Sequence, residues 1–284
     1  MDVLLAGCGW LGRQVAARLL ARGDRVTGLT RTPESAAKLR ADGFDAHAVD
    51  LAAPASLRAI PGRFDGIVAM QSAAGRDVAD YRRAYLDATR GLLESGLATD
   101  CAFVYVSSTG VFGQDDGSWV DEKTEPKALG ETSEILIEAE RLVLRGSARG
   151  ASARVVRCSG LYGPGRTATI ERVRTGALSL GDGDSTWMNF IHRDDAADTV
   201  IAALDRGRHG AIYHASDAAP ATRREVAQWI AERLGMTLST RESGGEPATW
   251  RGAHRRVSSE ATRSELGLRL AYPSFREGLA PFLA

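Results

Sequence analysis

The short apolar run from Asp2 to Ala6 has strand character and stops at Gly7-Cys8-Gly9-Trp10-Leu11-Gly12. Helical spacing begins at once, with Leu11, Val15, Leu19 and Leu20 on one face and Gly23 closing the segment. A G-x-G-x-x-G turn is weak evidence alone, but between a strand and a helix it has a physical purpose. Its glycines allow a tight turn and bring a pyrophosphate close to the helix N-terminus, whose free N–H groups and dipole favour anions. Gly7, Gly9, Trp10, Leu11 and Gly12 are therefore candidate contacts for a dinucleotide cofactor. The alternative is a turn whose glycines serve packing alone.

The rest of the first half repeats the alternation. Strands are expected at Arg25 to Thr30, Phe44 to Val49, Gly66 to Met70, Ala102 to Ser107 and Ser152 to Arg157. Helices are expected from the Thr32-Pro33-Glu34 start, from about Asp77 to Ser95 and from about Ser133 to Arg145. Strands that are apolar throughout, each followed by a helix, imply an α/β fold: a doubly wound parallel sheet of Rossmann type. After Cys158 the rhythm breaks into glycine-rich loops, with further helices expected at Asp194 to Asp205 and Thr222 to Leu234. The expectation is a dinucleotide-binding part over 1–157. Residues 158–284 would be mainly a substrate-binding cap, with elements returning to the first part.

The end of the second strand bears on the cofactor. An acidic residue there clamps the ribose of NAD, yet this chain reads Gly28-Leu29-Thr30-Arg31-Thr32. Arg31 could pair with the extra phosphate of NADP, which a carboxylate would repel, so NADP is favoured and NAD is the alternative. An arginine lying in solvent or on the adenine face explains the same residue. Asp50 and Leu51, after the third strand, suit the adenine edge, although Asp50 could simply cap the next turn. Gln71 and Ser72, after the fourth, open a run of small residues against which the ribose and nicotinamide could lie.

Composition removes other classes. Lys and Arg total 36 and Asp and Glu total 36, so no global field draws the chain to nucleic acid or an anionic membrane. Cys8, Cys101 and Cys158 form no C-x-x-C pair, which excludes a disulfide scaffold and makes a thiolate metal site unsupported. The histidines show no ligand spacing either, so no metal is expected. Asp2 replaces the basic start of a signal peptide, and Arg13, Arg18 and Arg22 break any long apolar run. Cytoplasm is the natural compartment.

Several later segments carry a resemblance. They are Val106-Ser107-Ser108-Thr109-Gly110-Val111-Phe112-Gly113, Trp119-Val120-Asp121-Glu122, Arg157 to Arg166, Asn189 to Asp195, Tyr213 to Asp217, and Pro273 to Leu279. In this order, with the glycine loop, they resemble the short-chain dehydrogenase/reductase superfamily, closest to its extended or atypical NAD(P)-dependent epimerase/dehydratase branch. The resemblance implies hydride transfer on a small polar substrate, with sugar nucleotides among the family's substrates. It assigns the catalytic hydroxyl to Ser108, three positions before Val111. In sugar-nucleotide members, arginines in the region of Arg251, His254, Arg255 and Arg256 contact the substrate diphosphate. Asn189, His192 and Arg251 are accordingly the substrate-binding candidates. Paired helices leave a homodimer open.

One departure matters. The family's general acid/base is a tyrosine four residues before a lysine, whose charge lowers the phenol pKa. Aligning on Glu140 puts Thr132 and Leu136 at those positions, and aligning on Glu138 puts Gly130 and Glu134 there. Lys38, Lys123 and Lys127 all lie outside the expected helix. Three readings follow. A substitute donor acts, with Tyr162 and His192 the titratable candidates and Thr132 at the vacated position, although Tyr162 also reads as a packed tyrosine and His192 as a hydrogen-bonded histidine leading into the Asp194 helix. Or the reaction needs little protein acid catalysis, as in reduction of an iminium. Or the chain binds a dinucleotide as a non-catalytic regulator or sensor.

Overall fold

A computed structural model describes residues 1–145, 150–239 and 253–283. In chain order the strands are β1 (Asp2–Ala6), β2 (Arg25–Thr30), β3 (Asp45–Ala48), β4 (Gly66–Ala69), β5 (Ala102–Ser108), β6 (Trp119–Val120) and β7 (Ser152–Cys158). They continue with β8 (Gly160–Tyr162), β9 (Trp187–Met188), β10 (Phe190–His192), β11 (Ile212–Ala215), β12 (Ala221–Thr222) and β13 (Arg256–Val257). Seven of them form one sheet in the order β11-β7-β5-β4-β1-β2-β3. Every neighbouring pair in it runs parallel.

Because successive strand side chains point to opposite faces, a strand buried on both sides must be apolar throughout. In β1, Val3 and Leu5 enter one core with Leu11, Val15 and Leu19 of the first helix and Ala196, Val200 and Ala203 of the helix Arg193–Arg206. Leu4 and Ala6 enter the opposite core with Leu86, Leu92, Ile135, Ala139 and Val143. Apolar side chains from the second half of the chain make a third cluster, including Tyr162, Ile170, Leu180, Ile230 and Phe275.

Local chemistry sets several boundaries. Thr32 caps the second helix by accepting the Ser35 N–H at 3.2 Å. Thr222 and Glu225 form a reciprocal capping box ahead of Arg223–Leu234. The long helix expected from Asp77 starts there, with the Asp77 carboxylate accepting the Asp80 N–H at 2.7 Å. It is not uniform, since Arg82–Asp87 is a π-helical turn between Val78–Tyr81 and Ala88–Glu94. The Thr89 hydroxyl donates to the Tyr85 carbonyl at 2.6 Å, giving that carbonyl a side-chain partner. Among the described residues, no helix is long and apolar enough to cross a membrane.

Candidate active site

The carboxyl ends of β1 to β4 surround a cleft of about 270 Å³ that includes Gly7, Gly9, Arg31, Asp50, Leu51, Gln71 and Ser72. Open parallel sheets bind ligands at this edge. Gly7 has φ +84°, and a Cβ there would sit 2.5 Å from the Gln71 backbone, so only glycine lets β1 and β4 close at this point. Both the Gly7 and Cys8 N–H groups donate to the Leu29 carbonyl, at 3.1 and 2.9 Å, which fixes the turn against β2. A Cβ on Gly12 would meet Met70 Sδ at 3.1 Å, so the first helix packs tightly over the end of β4. The glycines thus hollow the cradle and bring the helix N-terminus to it.

Other expected contacts divide. Leu11 is buried in the core and Trp10 points to the cap, so neither side chain lines the cleft; each offers its backbone N–H at the helix start. Arg31 is exposed on the rim beside Thr32 and Ser35. Asp50 lines the cleft and also caps its turn, accepting the Ala52 N–H at 3.0 Å and pairing with Arg83 at 2.5 Å. Gln71 is buried, donates to the Thr89 hydroxyl at 3.0 Å, and leaves its Oε1 without a partner among the described residues. Burial pushes the Cys8 thiol up to about 11, so it stays neutral at this edge. A glycine-only cradle with an unfilled amide acceptor fits a dinucleotide.

Further along the same edge, past β5, lies a second cavity of about 320 Å³ lined by Ser108, Thr109, Phe112, Trp187, Asn189 and Arg255 among others. The two serines ending β5 face opposite ways. Ser107 donates to Glu140 at 2.6 Å, deep in the protein, where Glu140 also pairs with Arg157 at 2.7 Å. Ser108 accepts the Gly110 N–H at 3.0 Å and lines the cavity. That bond occupies a lone pair and leaves the Ser108 O–H free to donate to a ligand oxygen.

The Glu140 pair also decides the helix register. Glu140 is buried against Arg157, whereas Glu138 is exposed, so Glu140 is the glutamate turned to the sheet. In the register aligned on Glu140, the two positions to locate are Thr132 and Leu136. Leu136 is packed with Val111 and Phe112, and half-buried Thr132 is not among the residues lining either cavity.

Two expected donors lie elsewhere. Tyr162 is 6% exposed, packs edge-on against Phe190 and His192, and donates to the Ser274 carbonyl at 3.3 Å. Burial raises its pKa further from neutrality. His192 is buried against Tyr272, and its Nδ1 accepts the Asp194 N–H at 3.2 Å, capping the following helix. Burial lowers its pKa, which keeps the ring neutral. The structure brings neither side chain to Ser108, and both act in packing and capping.

Asn189 does reach the cavity, but its side chain is engaged with the chain. Its Oδ1 accepts the Val257 N–H at 2.7 Å and its Nδ2 donates to the Arg255 carbonyl at 3.0 Å, pinning β13 in place. Arg251 lies outside the described residues. From the same basic cluster, Arg255 is the residue that lines the cavity, 8% exposed and donating to the Thr109 carbonyl. Burial lowers its pKa to about 10. Neighbouring Arg256 turns the other way, between Trp119 and Trp187, 5.1 Å from each ring. The cluster was visible in the sequence, while the alternation that sends one arginine inward was not.

Comparison with known proteins agrees with this architecture. A family model described as the NAD dependent epimerase/dehydratase family matches residues 3–216. A 3-diazoavenalumate denitrifying reductase from a Streptomyces species is 27% identical, covering 98% of this chain and 99% of that protein. A 4-hydroxy-2-methyl-3-oxo-4-farnesyl-3,4-dihydroquinoline-1-oxide ketoreductase from Stigmatella aurantiaca is 27% identical over 81% of this chain and 72% of its own. Among solved structures, a dTDP-glucose 4,6-dehydratase double mutant from Streptomyces venezuelae, holding NAD, superimposes with a TM-score of 0.82. It covers 100% of this chain and 96% of its own at 20% identity, a likeness of fold.

Proposed function

Since the chain belongs to the NAD-dependent epimerase/dehydratase family, we propose that it is a pyridine-nucleotide-dependent reductase that moves a hydride to a compact substrate beside Ser108. The observation that carries this reading is the row of two cavities along one sheet edge, with the Ser108 hydroxyl free to donate into the second. The reductase names of two relatives support it over sugar isomerisation. NADP is the favoured cofactor, because Arg31 stands on the cleft rim where an NAD-binding chain carries an acidic residue.

When bound, the reduced cofactor supplies the hydride. The chain's residues do the rest. The glycine turn and the start of the first helix hold the phosphates, and Gln71 Oε1 offers an acceptor to a cofactor hydroxyl or amide. Ser108 donates to the substrate heteroatom on which negative charge develops. With Thr132 and Leu136 at the relay positions of the Glu140 register, the described residues lining the second cavity include no phenol or ammonium group. Such a site suits a ketone whose developing alkoxide Ser108 holds until water protonates it, or an iminium, on which hydride addition leaves a neutral amine and requires no proton.

The test is a titration with NADPH and NADH followed by an assay of carbonyl and imine substrates at the reduced-nicotinamide absorbance. Nucleotide binding with turnover that Ser108→Ala suppresses supports the reading. Binding without turnover, unaltered by Ser108→Ala, would instead show a non-catalytic dinucleotide sensor.

A further inference from the structure

The cavity beyond Ser108 contains a buried cation with nothing of opposite charge on it. Arg255 is 8% exposed, and no ion pair joins it to a carboxylate among the described residues. One terminal N–H group reaches the Thr109 carbonyl, while Nε is buried and has no partner among the described residues. A guanidinium does not lose its proton at this pKa, so burial leaves a charge that an anion would stabilise strongly. Its planar N–H edge matches the two oxygens of a carboxylate.

The surroundings narrow the anion further. Arg256 is stacked between Trp119 and Trp187 and donates to the Gly117 carbonyl at 2.9 Å. His254 Nδ1 accepts the Trp187 N–H at 3.2 Å. Among the described residues lining the cavity, Arg255 is therefore the one cation, and its planar edge fits one carboxylate. Phe112, Phe190, Trp187 and Met188 supply apolar and aromatic wall alongside the hydroxyls of Ser108 and Thr109, with Leu129, 57% exposed, also lining the cavity. Asn189, the amide that could have bonded sugar hydroxyls, is engaged with Arg255 and Val257 backbone. A polyhydroxyl substrate would leave groups unpaired there, whereas an aromatic or conjugated one would not.

We propose that this cavity binds a compact planar monocarboxylate, an aryl or enoyl acid, with its carboxylate on Arg255 and its conjugated body between Phe112, Trp187 and Phe190. An acid of this class that also carries a ketone carbonyl would be the substrate of the hydride transfer proposed above: the hydride adds to the carbonyl carbon, the C=O π pair becomes an alkoxide held by Ser108, and water supplies its proton. The inference rests on that reading only for the reaction, not for the binding.

Calorimetric titration of the full chain saturated with NADP⁺ tests it, using cinnamate, its neutral amide cinnamamide, and UDP-glucose. Cinnamate is expected to bind at least tenfold more tightly than cinnamamide and more tightly than UDP-glucose. Arg255→Gln is expected to erase the preference for the acid, and Arg255→Lys to restore part of it. Equal affinity for acid and amide, no measurable cinnamate binding, or tighter UDP-glucose binding would each overturn the proposal in the unmutated protein, whatever the variants do to folding. The initial NADP⁺ titration, repeated with NADH, reads the dinucleotide cleft separately, so failure of the reductase reading is distinguished from failure of this one.

Discussion

The indole N–H of Trp10 donates to the backbone carbonyl of Pro164 at 2.9 Å, joining the glycine turn at the start of the chain to the loop after β8. Arg166 and Arg193 stack on the same ring, at 4.4 and 5.2 Å from its centre. A residue of the glycine turn thus uses its side chain to tie that turn to the loop after β8 and to Arg193. Trp10→Phe keeps a ring for both guanidinium groups and removes the hydrogen bond. It is expected to weaken NADPH binding by about two- to tenfold, the span of one net hydrogen bond. The fluorescence of NADPH itself measures this without relying on the lost tryptophan. An unchanged affinity would mean that the bond only packs the loop.

Arg31 gives a prediction of selectivity. It stands on the rim of the first cleft with no resolved ion pair, beside the hydroxyls of Thr32 and Ser35. Arg31→Ala is expected to weaken NADPH roughly tenfold or more, the scale of one charge-assisted phosphate contact, and to change NADH little. Equal losses for the two nucleotides would remove the phosphate-pairing role.

How far the sequence reveals these features depends on where the determining interaction lies. β1 and β2 are legible to the residue, because a loop glycine ends the first and Thr30-Arg31-Thr32-Pro33 ends the second. The same holds for Thr32 and Thr222, whose caps are local. β11 passes unrecognised in the loop-rich half: Tyr213 and His214 give it no apolar run, and its place is set by pairing with β7 and by the His214 N–H bonded to Thr262 at 2.8 Å. At the site, Ser108 is legible from its spacing to Val111, while Tyr162 and His192 offer both a titratable group and a packing or capping role, and residue type does not choose between them. Burial and backbone partners decide, and neither is written in residue type. Arg255 lies one residue ahead of the two-residue strand that Arg256 opens, an element too short to show a periodicity.

Glu140 and Arg157 form a fully buried ion pair that also receives the Ser107 hydroxyl. Removing one member leaves a charge in the core. Glu140→Gln is expected to cost about 3–5 kcal/mol in unfolding free energy. Replacing both, Glu140→Leu with Arg157→Met, is expected to cost clearly less than Glu140→Gln alone, because no charge stays unpaired. Denaturant unfolding compares them directly, and a double variant less stable than Glu140→Gln would contradict the argument.

Asp217 supplies a pH dependence. It is 1% exposed, its Oδ1 accepts the Ala219 N–H at 3.2 Å, and its Oδ2 is without a partner among the described residues. Burial, with Glu277 and Asp195 adding negative charge nearby, raises its pKa to about 8. The folded protein therefore keeps a proton that the unfolded chain loses near the ordinary aspartate value. This group's contribution to stability is greatest below that value and is lost as pH climbs toward 8. Asp217→Asn keeps an acceptor for Ala219 and removes the titration. Its stability relative to the unmutated protein is expected to improve between pH 5 and pH 8, by on the order of a kcal/mol or more. A difference that is flat across this interval would place the Asp217 pKa below it.

Ser107 and Ser108 allow the sharpest separation of structure from chemistry, since adjacent residues of one strand end face opposite sides. Ser107→Ala deletes a buried donor to Glu140, which keeps its pairing with Arg157 at 2.7 Å. The expected result is a loss of about 1–2 kcal/mol in stability, typical of a buried bond to a charged group, with kcat little altered. Ser108→Ala deletes only an acceptor for the Gly110 N–H, at 3.0 Å on the cavity side, so stability should change by less. Loss of a donor aimed at developing charge in a dry site costs about 10²–10³ in rate. The reductase reading therefore expects Ser108→Ala to lower kcat by that factor while leaving the nucleotide affinity unchanged. Because the Gly110 N–H fixes the rotation of the hydroxyl, Ser108→Thr should recover part of the rate if the cavity admits the extra methyl group. Should Ser107→Ala prove the slower variant and Ser108→Ala run at the unmutated rate, the hydride acceptor would lie away from the end of β5.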